Sequence, residues 1–381
     1  MGDLSRKAAI IGVDESDEIG KIPGKSRLQH AAEASFNALD DAGLTMKDVD
    51  SIFIAGPSPY VMAEYLGITP KYTDGTNVGG SSFVIFVQHA VAAINSGLID
   101  VALIVHGEAG RSSRSYHESD LNMPAAQYEE PYGFVIEPHA YGVACSRYMH
   151  EFGQERTQNA LAEIAVSTRK WAQLNPKAMM HDPMTIQDYH ESRWISWPFH
   201  IYDCCLVADG GGATIVASAA AARNARKKPV WILGSAEGHD HGEGVGQQDD
   251  LCSTIARDTG PRALGMAGVT HDDIDLAMIY DSFTYTTLVT LESLGFCGRG
   301  EGPDFVANQR TAPGGDFPVN TNGGGLSYCH TGMYGMFLLL EATRQLRSEC
   351  GDRQVKDCKL ALVNGTGGTL SSCGTLVLAA D

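Results

Sequence analysis

Two rhythms of apolar and polar residues alternate along the chain. Short apolar runs, AAIIGV (8–13), VALIVHG (101–107), PVWILG (229–234) and LALVNGTGG (360–368), predict buried strands. Longer stretches with helical spacing, SSFVIFVQHAVAAINSG (81–97), TQNALAEIAVSTRKWAQLN (157–175) and MYGMFLLLEATRQLR (333–347), predict helices between them. The pattern also repeats: ALDDAGLTMKDVDSIFI (38–54) returns as ALGMAGVTHDDIDLAMI (263–279) at a constant offset of 225. Each copy reads as a helix capped by glycine, a turn and a buried strand. A glycine turn, an apolar helix and another strand follow each copy, and each half opens on a strand. The expectation is a duplicated α/β fold with pseudo-twofold symmetry and parallel sheets covered by helices.

The halves are assigned to residues 1–230 and 231–381, the first enlarged by an insertion at about 110–205. Arg169, Lys170 and Lys177 make that insertion locally basic in a chain of net charge −18, either as a solvated helix face or as a binding surface. The overall charge argues against nucleic-acid and anionic-membrane partners, which basic patches hold, and leaves room for a local basic pocket that takes a phosphate-bearing ligand. No run reaches the roughly 18 apolar residues of a membrane span. Nine cysteines without a C-x-x-C pair, and no secretory leader, point to reduced thiols in a cytoplasmic protein.

Three motifs, in order, carry a family resemblance: YDSFTYTTLVTLESLGFC (280–297), NTNGGGLSYCHTGMYG (320–335) and NGTGG (364–368). Together they resemble the thiolase superfamily, in particular its sterol-carrier-protein type, over nearly the whole chain. The fold implied is a layered α/β/α/β/α core. The resemblance places His330 on the catalytic histidine, Tyr280 where these enzymes carry histidine or asparagine, and Asn364 where many carry a second cysteine. It places Gly80, in TNVGGSSFVIFVQHA (76–90), on the nucleophilic cysteine, and Thr331 on the proline after the histidine. Thiolases acylate a thiolate at a helix start, where the macrodipole depresses its pKa. Glycine cannot serve. Ser81 and Ser82 need an adjacent base, and His89 lies roughly two turns along the helix, so they read as helix-capping serines.

A reaction that needs an enolate but no acyl-enzyme is aldol cleavage of a 3-hydroxyacyl thioester. Cysteine-free members with a Y-D-x-F segment resemble the aldolases of bacterial steroid side-chain degradation. On that resemblance Tyr280 is the acid/base, aided by neighbours because a free phenol titrates near 10. His330 stabilises the enolate or shuttles a proton, and Asn364 supplies a hydrogen bond. Gly80, Ser81, Ser82, Tyr328, Tyr334 and Gly367 line the substrate. Asp281 reads as structural, and Cys204 and Cys205 as buried strand and turn. Two alternatives stay open: an acyltransferase with a non-standard nucleophile, and a non-catalytic acyl-CoA-binding or lipid-binding homologue.

A CoA thioester is the expected substrate, with no cofactor; the glycine runs lack a dinucleotide-binding context. GHDHGEG (238–244) offers His239, Asp240, His241 and Glu243 at metal-like spacing, but reads better as an entrance loop. The resemblance implies at least a homodimer and a separate OB-fold and zinc-ribbon subunit.

Overall fold

The computed structural model describes residues 4–113, 122–242 and 244–380. Among them, nine strands form one sheet. They are β1 (Ala8–Glu15), β2 (Ser51–Phe53), β3 (Tyr72–Asp74), β4 (Val101–Glu108), β5 (Gly210–Ser218), β6 (Val230–His239), β7 (Leu276–Ile279), β8 (Leu360–Gly367) and β9 (Ser372–Ala379). Their order is β3-β2-β4-β5-β1-β6-β9-β8-β7. Read from each edge inwards, the two halves run β3-β2-β4-β5-β1 and β7-β8-β9-β6, and the pairs Ala9–Trp231 and Ile10–Val230 join them. The second half's missing edge strand survives as a parallel bridge between Ala277 and Val319.

The sheet is mixed, which corrects the expectation of parallel sheets. Only β2 with β3 and β4, and β7 with β8, pair in parallel. The last strand of each half inserts antiparallel between its first strand and the one that precedes it in sequence, β5 between β1 and β4, and β9 between β6 and β8. Alternating strands and helices fix the order of elements but not the direction of a strand reached without a crossover helix.

Seven helices matter to the site: α1 (Arg27–Ala42), α2 (Ser82–Asn95), α3 (Glu137–Phe152), α4 (Gln154–Gln173), α5 (Ala256–Ala267), α6 (Thr284–Leu294) and α7 (Gly335–Leu346). The repeat explains its own shared residues. Gly43 and Gly268 end α1 and α5 in the left-handed region. Thr45 and Thr270 each bond the aspartate three residues on, at 2.8 Å. The Asp50 carboxylate accepts the N–H groups of Asp100 and Val101, and that of Asp275 those of Lys359 and Leu360. Each aspartate therefore ties its turn to the start of the neighbouring strand.

Helix α1 covers one outer face and α5 the other, while α2 and α7 contact strands of both halves. This is the α/β/α/β/α layering. The middle helices are apolar nearly all round, as a helix buried on every side must be; Phe83 to Val87 and Met336 to Leu340 are all buried. Among the described residues no helix is long and apolar enough to cross a membrane.

In the insertion, α4 covers the predicted helix and packs on α6. Its basic stretch is partly internal. Arg169 is buried, donating to Ser327 Oγ at 2.9 Å with its guanidinium over the Tyr202 ring, and Lys177 pairs with buried Glu15 at 2.5 Å.

Candidate active site

Strand β7 delivers Tyr280 just past its last residue, and the Tyr280 N–H continues the ladder to the Asn364 carbonyl at 3.0 Å. The loop that follows the helical turn Gly324–Tyr328 delivers His330, whose carbonyl accepts the Ala208 N–H at 2.9 Å. Their side chains meet. Tyr280 Oη lies 2.9 Å from His330 Nε2, with the rings nearly perpendicular at 84°. The same oxygen accepts the Tyr334 N–H at 3.0 Å, at the start of α7. Tyr334 stacks on His330, and its hydroxyl donates to Asn322 Oδ1 at 2.7 Å.

Gly80 completes the centre from the other half. A Cβ built on Gly80 would sit 2.7 Å from Tyr280 Oη and collide with the Tyr280 ring, and one on Gly335 would strike the Gly80 carbonyl. The starts of α2 and α7 thus meet backbone to backbone. The volume a side chain at position 80 would need holds the phenol instead.

Burial sets the charge states. His330 is pushed down to about 4 by loss of solvent, so it is neutral near pH 7. Burial also lifts Tyr280 well above its ordinary 10, against the pull of the Tyr334 N–H. The resting pair is a phenol donating to a neutral imidazole. Two buried helices begin here, and their N-termini favour negative charge on Tyr280 Oη.

Residues 236–380 match the family described as thiolase C-terminal domain-like. The chain is 34% identical to the 17-hydroxy-3-oxo-4-pregnene-20-carboxyl-CoA lyase of Mycobacterium tuberculosis, over 90% of this chain and 92% of that one. It is 34% identical to a steroid side-chain-cleaving aldolase of Thermomonospora curvata, over all of both chains. The solved Ltp2-ChsH2(DUF35) aldolase superposes with a TM-score of 0.91 at 33% identity, over 99% of both chains.

The chain belongs to the thiolase superfamily.

Within it, the protein is a thiolase-like carbon–carbon lyase of the retro-aldolase kind. Human mitochondrial 3-ketoacyl-CoA thiolase shares the fold, with a TM-score of 0.73 at 14% identity.

The other predicted residues scatter around this centre. Ser82 Oγ donates to the Gly79 carbonyl at 2.7 Å and accepts the Val78 N–H, while Ser81 Oγ bonds Ser372 Oγ at 2.8 Å and the Val78 carbonyl at 3.1 Å. Ser81 stands at the cap position of α2, but its side chain does not cap it. Gly367 packs under this turn, with Val78 and Ser81 where a Cβ would point. Asn364 reaches Tyr280 only through its carbonyl. Its amide faces the outer layer, donating to Thr375 Oγ1 at 2.8 Å, and Thr375 in turn bonds Thr259 of α5. Tyr328 packs on Phe337 and turns towards a cavity of about 180 Å³ lined by Glu15, Arg344 and Arg353. Asp281 is structural: it accepts the N–H groups of Gly325 and Leu326, and burial raises it to about 7.

Three residues near the lyase centre were given no part in the site by the sequence reading. Tyr141 of α3 donates to the Gly368 carbonyl at 3.0 Å, packs on Phe283 and is raised to about 12 by burial. Cys205 is half-buried in a loop, not a strand, and its N–H donates to the Ser282 carbonyl at 3.0 Å. His106 of β4 sits behind Thr331. Nothing in their local sequence marks them. At the suspected metal loop, His239 bonds Ser372 at 3.0 Å, and His241 bonds the Thr369 carbonyl and Asp240. Glu243 lies outside the described residues, among which no three His, Cys, Asp or Glu side chains gather to hold a metal.

Proposed function

We propose that this enzyme cleaves a 3-hydroxyacyl-CoA between its second and third carbons, using Tyr280 and His330 as one proton-transfer unit. The observation that carries the reading is the Tyr280 hydroxyl standing in the space of the absent nucleophile, bonded to both His330 Nε2 and the Tyr334 N–H. The substrate 3-hydroxyl meets Tyr280 Oη. Its proton passes to that oxygen as the phenol proton moves to His330 Nε2. The C2–C3 bond breaks, a ketone or aldehyde leaves, and the bonding pair becomes the thioester enolate. The proton held by the pair returns to C2, releasing a shorter acyl-CoA and restoring the neutral phenol and imidazole. The thioester lies over the turn of Gly79–Ser82, which Gly367 supports from beneath, with Tyr334 and Tyr328 beyond it, and Asn364 acts only through its main chain.

The relatives favour a steroid side chain as the acyl group. In the substrate named for the mycobacterial lyase, carbon 17 bears the hydroxyl and is bonded to carbon 20, which bears the carboxyl-CoA group, and this makes it a 3-hydroxyacyl thioester. The active assembly in this reading is at least a homodimer with a separate OB-fold and zinc-ribbon subunit. The neighbour named Ltp2-ChsH2(DUF35) supports the second component. Nine unpaired thiols support a cytoplasmic setting.

The test is mass-spectrometric analysis of a panel of 3-hydroxyacyl-CoAs, steroidal, aromatic and short-chain, incubated with the protein with and without the partner subunit. A carbonyl product with a matching shortened acyl-CoA supports the reading. No carbonyl product from any member, despite CoA binding, would refute it in favour of a binding role.

A further inference from the structure

We infer that His106 is a positioning residue for the reaction, acting through Thr331 to hold His330 in register with Tyr280. This rests on the proposed cleavage, in which a fixed Tyr280–His330 geometry carries the proton.

His106 sits near the end of β4, in the other half of the molecule from His330. Its ring lies in the middle layer, 4.9 Å from the Phe83 ring of α2 and 6.5 Å, edge-on, from the Phe337 ring of α7. His106 Nε2 is 2.8 Å from Thr331 Oγ1 and 3.1 Å from the Thr331 carbonyl. Nδ1 is buried with no partner among the described residues. The tautomer follows. A buried lone pair left unpaired costs less than a buried N–H, so the proton sits on Nε2 and is donated to Thr331. Burial pushes His106 down to about 3, so it serves as a neutral donor.

The consequence is a peptide held on both sides. Ala208 N–H takes the His330 carbonyl at 2.9 Å, and His106 takes the next carbonyl, that of Thr331. Beyond them Gly332 turns away in the left-handed region at φ 84°. Thr331 lacks the fixed φ of a proline, so the brace does by hydrogen bonding what a ring would do covalently. A phenylalanine would fill the same aromatic slot with no unpaired nitrogen, so what the imidazole adds is the hydrogen bonding of Nε2 to Thr331. Misplacing a reacting group by about 1 Å can cost on the order of 100-fold in rate.

The variants are His106→Phe, which keeps the ring packing and removes the donor, and His106→Phe combined with Thr331→Pro, which restores rigidity by another route. The Thr331 N–H makes no hydrogen bond among the described residues, so the proline removes none. Steady-state kinetics are read beside the thermal midpoint and ¹⁵N-histidine NMR of His330. The expected result is kcat lowered about 10- to 100-fold in His106→Phe with KM within about twofold, and most of kcat regained in the double variant. The NMR should move from one His330 tautomer to a mixture. An unmoved His330 signal overturns the brace whether or not the wild type turns over, and so does a kcat unchanged in His106→Phe. A fall in kcat that tracks lost folded protein and is not rescued by the proline also overturns it. An inactive wild type with the expected NMR change would count against the cleavage reading and not against the brace.

Discussion

The starts of α2 and α7 are counterparts in a duplicated fold, and they have diverged in opposite directions. At α2 the chain reads Gly79-Gly80-Ser81-Ser82, and both serine hydroxyls are taken up by neighbouring carbonyls, an N–H and Ser372. At α7 the approach brings His330, and the helix opens on an N–H aimed at Tyr280. One half supplies space and the other supplies the groups that move protons. A lost nucleophile is therefore a change of occupant: the room given up at Gly80 is filled by a phenol from β7.

Ranked by size, the ways to break that contrast begin with Tyr280. Tyr280→Phe keeps the ring in its slot and removes the oxygen, so kcat should fall about 1000-fold while CoA affinity stays close to wild type and stability drops by about 1–3 kcal/mol for the Tyr334 N–H left unpaired. Turnover near wild type would end the role given to Tyr280. Next comes the occupied space. Gly80→Ala places a methyl against the Tyr280 ring and should cost about 1–3 kcal/mol of stability by overpacking and roughly 100-fold in rate, read by thermal melting and steady-state kinetics. A Gly80→Cys variant that gains thiolase activity without relief at Tyr280 would show that the slot is not full.

A smaller effect separates two histidines. His330 is lowered to about 4 by burial, whereas His89, two turns into α2, is raised to about 9 by Asp74 at 2.6 Å and Glu237 at 3.0 Å. The signs oppose. The unfolded state binds the His330 proton more readily, so stability is lost as pH falls from about 6.5 through 4. The His89 contribution is full below about 6.5 and is lost as pH rises through 9. Thermal melts across pH should therefore decline at both ends, while kcat stays level from about pH 6 to 8 and falls as His330 gains its proton towards 4. The smallest effect is His89→Gln. It should flatten the alkaline decline, cost no more than about 1 kcal/mol for a partly exposed pair, and leave kcat within about twofold.

What could be read from the sequence followed from local and repeated signals. Eight shared residues of the repeat marked the duplication, and Asp50 and Asp275 recur because each ties a turn to a strand start. Tyr280 and His330 stood in ordered motifs. Strand direction was not readable, because β5 and β9 reach their places by antiparallel return. Nor was the aim of Asn364, since strand alternation sends its side chain to α5 while its neighbours Val363 and Gly365 face the middle layer. Tyr141, Cys205 and His106 arrive from the insertion and from β4, and only tertiary contact brings them to the centre. Arg169 looked like surface charge and is buried because Ser327 and Tyr202 receive it.

The most direct measurement is a single-turnover reaction in D₂O, with the active 3-hydroxyacyl-CoA and the protein followed together by mass spectrometry. A tyrosine-driven retro-aldol cleavage predicts a ketone or aldehyde, a shorter acyl-CoA carrying one solvent deuteron at C2, and a protein of unchanged mass. A protein heavier by an acyl group, or an acyl-CoA product without that deuteron, would contradict it.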